Sequence, residues 1–521
     1  MNKLATLVIF CLLPLSGTMA QLFHPKKEKQ VSELITQPGR VEFEIENGNY
    51  QDYIVTGCQE EGISLCHKTE NKEKEGYLWE FIRLDTALST VWQRDMYLPF
   101  GTRIIGYDYS PGFVNYLIRQ EDYKQEELVL LRVNLQRGDT SRFYINTVIP
   151  VVPTELHVLG NTVLLGVQTD YKAFIFRYNL VDKRPQIIPG FYDEYGEILR
   201  ITTDDRLRVF TVTMKERMPD LRTTVSVRSF SEGGDMMRNI HLEPDESKSL
   251  LNGAPTNLKL DRQFVAGTYA HKRLTYSSGI YIARLGNSSQ QSIQYIDYGE
   301  LDHFFSYLSA SKERRMKKKI DLKKANGQEM KFHYRLNLHD IIQNGDYYTL
   351  FGEVYYNTGY PSYALANYSA SVPTPGLAGH QYSPAFSSFK YTHSVVITFD
   401  QSGKLLWDGS FEINDVDNSN LEDVVNVATS GDETVLVYAF ENTIRSKILK
   451  EDKIIEGKTF NDISLSVEGD EAWGGRNQPG NLSRWYGMTF FTYGVRDIEN
   501  LRSQEAGYYR RVFFINKISF R

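Results

Sequence analysis

The sequence predicts an all-β protein, a β-propeller of eight blades. Three observations carry that expectation: a two-strand unit that recurs along the chain, a composition suited to strands, and alternating segments near both ends that can complete one sheet. The unit is clearest in 161–168 with 171–180, 206–213 with 223–230, 263–269 with 279–285 and 347–354 with 393–399. Each segment is short, rich in β-branched and aromatic residues, and bounded by Gly, Asn or Asp, which is how strands and their turns are written. Further pairs fall at 54–84, 104–133, 434–448 and 488–520. The spacing is that of propeller blades, roughly 40–50 residues or more, with seven blades as the alternative count. With 34 Tyr and 28 Phe, strands are favoured over helices. A lone unit leaves sheet faces uncovered, and stacking like units in a ring covers them.

Taken in order, Lys3, the apolar run from Leu4 to Leu15 and the small residues Thr18 and Ala20 read as a secretory signal peptide, 1–20, cut before Gln21. Export to the periplasm or outer membrane is therefore expected. Residues 21–40 form an N-terminal segment and 41–521 a single propeller domain. After Ala20 no stretch is long and apolar enough to span a bilayer. The formal charge of −6 argues against nucleic-acid binding. Val41 to Ile45 alternates, as does part of 511–520, so the N-terminal strand is expected to complete the last sheet. Cys58 and Cys66 flank a hairpin turning near Glu60-Glu61-Gly62. Two buried thiols are preferred to a disulfide, because only one of several registers sets them opposite each other.

Two segments break the strand rhythm. The insertion at 302–330 reads as a helix with Phe304, Phe305, Leu308, Met316 and Ile320 as a narrow apolar stripe. Its basic face carries Arg314, Arg315, Lys317, Lys318 and Lys319. A solvated helix pinned to the propeller is the preferred reading; contact with an anionic surface or acidic glycan is the alternative. The insertion at 357–392 holds Tyr360, Tyr363, Tyr368, His380, Tyr382, Phe386 and Tyr391 among Gly, Ser, Ala and Pro, a composition suited equally to an adaptable binding loop and to a loop with no role. Trp473 and Trp485 bracket a smaller candidate loop for a protein or sugar surface, with aromatic stacking inside the last sheet as an equal reading.

Asp85 and Asp400 each precede a tryptophan, Trp92 and Trp407, by seven residues at the same place in the unit. The second, Asp400-Gln-Ser-Gly-Lys-Leu-Leu-Trp407, resembles the Asp…Gly-Lys…Trp turn of quinoprotein-type propeller repeats, one residue shorter, and the first lacks the Gly. With Tyr334-Arg-Leu336, His339-Asp-Ile-Ile342 and Glu353-Val-Tyr-Tyr356, the chain also resembles uncharacterised exported propeller-like proteins of Gram-negative envelopes. That resemblance implies a fold and carries no activity.

Zinc, nucleotide and nucleophile-elbow motifs are absent from the sequence, and no cofactor or metal is expected. His339 reads as a structural residue, with Asp340 and Arg335 in a polar network of the blade core. Glu60-Glu61, Asp204-Asp205 and Glu422-Asp423 read as turn carboxylates. The preferred function is a noncatalytic scaffold presenting loop faces to an envelope protein partner, an association of the fold alone. The first alternative is a carbohydrate-active hydrolase or lyase with its pocket at the propeller centre; attachment to anionic surfaces through the basic helix is another. Two acidic side chains and an Arg converging in one pocket favour the enzyme. An aromatic patch on the rim favours the scaffold.

Overall fold

The computed structural model describes residues 30–521 apart from 46–51, 121–126, 148–150, 170–171, 192–195, 260–262, 273–274, 287–290, 358–387, 419, 474–480, 501 and 503–508. Eight antiparallel sheets follow one another along the chain, and they form an eight-bladed β-propeller. Blade 1 comprises Tyr53–Gly57, Ile63–Glu73, Gly76–Leu84 and Thr90–Leu98, from the axis outward. Blades 2, 3, 4 and 5 begin with inner strands Thr102–Ser110, Pro153–Leu159, Glu197–Asp204 and the split pair Lys248–Leu250 and Ala254–Pro255. Blade 6 opens with another split pair, Arg335–Leu338 and Ile342–Asn344, and blade 7 with Asn426–Ser430. In blade 8, Asn481–Tyr486 is innermost, followed by Thr489–Glu499 and Tyr509–Phe520, and Ile35–Glu44 adds the outermost strand. The N-terminal strand thus closes the ring as expected, and its pairing starts before Val41, with Ile35 opposite Phe520.

The apolar core lies in wedges between blades. Trp79, Phe81 and Leu131 fill the space between blades 1 and 2, Phe351 and Leu436 that between 6 and 7, and Leu65, Phe491 and Phe513 that between 8 and 1. Polar groups clasp the same boundaries near the axis. Glu61 accepts from Tyr109 Oη and the Gly112 N–H, both at 2.8 Å, joining blades 1 and 2. Asp108 accepts from the Val158 N–H (2.9 Å) and Glu155 from the Ile201 N–H (2.6 Å). Glu353 accepts from the N–H groups of Val424 (2.9 Å) and Val425 (2.5 Å). Trp485 Nε1 donates to Gly62 O at 2.9 Å across the closure between blades 8 and 1. Gly62 holds φ 104°, and a Cβ there would meet Leu84 O at 1.9 Å, so the turn that receives the indole requires glycine.

The repeat is visible in the turns between third and fourth strands. Asp85 accepts from the N–H groups of Ala87 and Ser89, and Asp400 from those of Ser402 and Lys404. Asn134 and Asn179 cap the same turn in blades 2 and 3. Short polar side chains that bond two to four residues onward stabilise such turns. Trp92 pairs with Arg83, and Trp407 with Thr398, each two residues before its aspartate, so the seven-residue offset marks one hairpin built twice.

The helix spans Ala310–Ala325, shorter than the stripe predicted. Phe304 and Phe305 precede it, buried in the wedge between blades 5 and 6, where Phe304 stacks on Tyr298 at 4.2 Å. Asp408 accepts from the N–H groups of Asp302 and His303, which holds this stretch as a turn against the outer strand of blade 6. Ile320 alone in the helix is buried. Among the described residues no helix is long and apolar enough to cross a membrane. Cys58 and Cys66 are buried free thiols; Cys66 stands opposite Ile54, and burial pushes the Cys58 thiol up to about 12.

Candidate functional site

An extra residue recurs in the inner strands. Between Ile104 and Gly106, Pro153 and Glu155, Ile198 and Arg200, and Arg484 and Tyr486, the inner strand carries one residue more than its partner. In blade 6 the break Leu338-His339-Asp340-Ile341-Ile342 does the same, because Leu338 faces Gly352 and Ile342 faces Thr349. A bulge of this kind bends the strand and re-aims its side chains. Here Glu155, Arg200, His339, Asp340 and Arg484 all sit at or beside a bulge and line one pocket of about 230 Å³ on the propeller axis. His157, Asp423 and Asn426 complete its polar wall, while Leu199, Ile201, Ile342, Phe351 and Val427 supply apolar surface. The mixture of an apolar lining with a few convergent polar groups is that of a ligand site.

The charges fall into two clusters and a cation set apart. On one side, His157 Nδ1 lies 3.8 Å from Asp108 and its Nε2 3.7 Å from Glu155. Burial works against a charge on His157, but the two carboxylates outweigh it and raise its pKa. Burial also lifts Asp108 to about 6, against the pull of His157. On the other side, His339 Nε2 lies 3.4 Å from Glu353 and 3.5 Å from Asp423, which again raise its pKa against the effect of burial. Between them Arg200 is ion-paired with Asp340 and donates to Leu338 O at 2.6 Å. Desolvation among the pocket groups opposes the charge on Asp340, whose side chain is still well exposed, and the guanidinium overrides it, so the carboxyl stays below its ordinary range. Arg484 differs: desolvation lowers its pKa, and among the described residues no carboxylate pairs with it.

Several sequence expectations change here. Asp340 pairs with Arg200 and not with Arg335, whose guanidinium lies over the Tyr276 ring, because the bulge turns Asp340 toward the axis. Asp423 is not a mere turn carboxylate, since it lines the pocket beside His339. His339 is not a satisfied structural histidine, as its Nε2 makes no hydrogen bond. Trp485 is buried and serves the closure of the ring, so it offers no contact surface. Trp473 is exposed, edge-on to Tyr509 at 5.4 Å. Tyr391 is buried in the strand Phe389–Phe399, its hydroxyl bonded to the Glu422 backbone. Tyr360, Tyr363, Tyr368, His380, Tyr382 and Phe386 lie outside the described residues, as does the expected signal peptide. Arg314, Arg315, Lys317, Lys318 and Lys319 are exposed on the helix, away from the pocket lining. Sequence reading missed Glu155, His157, Arg200 and Arg484, whose one available signal was a titratable residue beside an apolar neighbour in an inner strand.

No family model matches the sequence, and no curated protein matches it. Among solved structures, a prolyl endopeptidase is similar over 81% of this chain at 9% identity and a TM-score of 0.37; the chain spans 50% of that protein's length. The β-propeller domain of the Trilobed protease from Pyrococcus furiosus matches over 80% of this chain and 93% of its own, at 10% identity and a TM-score of 0.36. The polysaccharide lyase Uly1 matches over 95% and 100%, at 9% identity and a TM-score of 0.36. Likeness this remote says nothing about activity. The pocket has to be read from its own residues.

Proposed function

We propose that the chain is a carbohydrate-active protein whose axial pocket takes an acidic sugar unit and cleaves the polymer by acid–base chemistry. One observation carries this reading. Two arginines, two histidines and several carboxylates from separate blades converge on one pocket, and Arg484 has no acid partner among the described residues. An exposed guanidinium at the pocket wall without a counter-charge among the described residues attracts an anion, and its fork matches a carboxylate in two hydrogen bonds. Bringing that cation against a uronate carboxylate would also stabilise negative charge developing beside it, as an eliminating lyase requires. His157, with its pKa poised by Asp108 and Glu155, is the candidate proton carrier. Arg484, the lining guanidinium without an acid among the described residues, favours elimination over paired-carboxylate hydrolysis.

The test is an assay of the full chain against uronate-bearing, sulfated and neutral polysaccharides. We expect cleavage of an acidic polymer with appearance of an unsaturated product. Arg484→Gln should weaken oligosaccharide binding tenfold or more. His157→Gln should lower turnover on the order of a hundredfold with little change in binding. Absence of both binding and cleavage across the acidic panel sinks the reading. A protein-scaffold role is the second reading, and the exposed Trp473–Tyr509 pair favours it. In that case Trp473→Ala would abolish recovery of a stoichiometric partner from crosslinked cells while leaving the pocket variants silent.

A further inference from the structure

Glu353 has no solvent exposure. Its Oε1 is used by the N–H groups of Val424 and Val425, while its Oε2 makes no hydrogen bond. A carboxylate oxygen left bare in the interior is costly and needs an explanation. Facing the same carboxylate is His339 Nε2, also without a hydrogen bond, 3.4 Å from Glu353 Oε1 and 3.5 Å from Asp423 Oδ1. Those separations are long for an N–H···O bond, whose usual length is about 2.9 Å. They suit donors sharing a cation: with bonds of about 2.1 Å, neighbouring corners of a ligand tetrahedron stand about 3.4 Å apart. The three donor atoms all lie within 4.8 Å of one another.

We propose that His339, Glu353 and Asp423 form a binding site for one divalent first-row metal ion in the wall of the axial pocket. The fold supplies each ligand from a different element. His339 comes from the bulge of blade 6, Glu353 from the strand behind it, and Asp423 from the segment leading into blade 7. Each is also held from outside. The Phe351 ring packs edge-on to His339 at 4.6 Å, and Asn337 Nδ2 donates to Asp423 Oδ1 at 2.9 Å. Two backbone N–H groups fix Glu353. Outer contacts of this kind orient metal ligands. One imidazole with two carboxylates suits Zn²⁺ or Mn²⁺ better than a soft ion such as Cu⁺. Because His339 and Asp423 also line the pocket, positions left open by three protein ligands face the pocket space, the arrangement of a metal that takes water or a ligand oxygen.

The competing account is a proton on His339, making an imidazolium between two acids. It supplies charge balance, but it does not explain why neither acid closes to hydrogen-bonding distance. Arg200 does not serve instead, being held by Asp340 and Leu338 O. The experiment strips the full chain with a chelator and titrates it calorimetrically with Zn²⁺ and, separately, Mn²⁺. Co²⁺ absorption then reports the ligand field. One ion per chain is expected, bound at least tenfold more weakly by His339→Gln and by Asp423→Asn. Glu353→Gln is not relied on, since Glu353 also ties blade 6 to blade 7. Arg484→Gln should keep the ion while losing the acidic sugar, so the metal site and the glycan reading can fail separately. No stoichiometric binding of any of these ions overturns the proposal, as does unaltered binding in both ligand variants.

Discussion

His157 shows how a single side chain couples the ring to its pocket. Asp108 and Glu155, the two acids beside it, are the residues that clasp blade 2 to blade 3 and blade 3 to blade 4. Folding raises the proton affinity of His157, so the native state gains from its charge below the ordinary histidine pKa of about 6.5 and loses that gain as the pH climbs through the raised value. Thermal unfolding of the parent chain and of His157→Gln across this range should therefore diverge most on the acid side. The gap should shrink to a constant offset as the solution becomes alkaline. A gap that widens with pH would contradict the assignment. None of this was legible in sequence. Glu155 lies two positions away from His157 on the same strand and so shares its face, but Asp108 is 49 positions away, a spacing that becomes a contact only when blade 2 docks on blade 3.

At the level of elements, alternation and turn chemistry predicted strands well, because each strand has a face to bury and a polar turn to end it. The Asp85 and Asp400 hairpins were readable for that reason, since an Asx turn is a local device. Bulges were not. One extra residue in an inner strand leaves the alternation almost unchanged in sequence but re-aims everything beside it, which is how Asp340 comes to meet Arg200. The helix Ala310–Ala325 failed in the other direction. Its predicted stripe included Phe304 and Phe305, which the wedge between blades 5 and 6 takes for itself. What holds the helix down is Ile320, lying over Gly299, where an added Cβ would come within 2.9 Å of it. Ile320→Ala should cost about 2–5 kcal/mol, the usual range for emptying a buried aliphatic site, read as lost hydrogen-exchange protection over 310–325. With so many like charges on the helix, that protection should rise with added salt.

For the whole molecule, stability rests on closing a circle. The last blade lacks its outer strand until Ile35–Glu44 pairs with Tyr509–Phe520. Removing residues 30–44 should lower the unfolding midpoint sharply and expose an edge that promotes association. Adding the missing strand as a peptide should restore part of the lost stability, and an unchanged midpoint would show that the ring closes by other contacts. Sequence alone determined the class of fold, the ring of like sheets and the strand that closes it. Each of those follows from local patterns: alternation, turn residues, and apolar faces that no single unit can cover. Only the tertiary structure decided where chemistry is placed. A propeller brings residues from distant blades to one axis, so Glu155, His157, Arg200, His339, Asp423 and Arg484 meet across hundreds of positions. No periodicity along the chain records such a meeting, because it is set by how the blades pack.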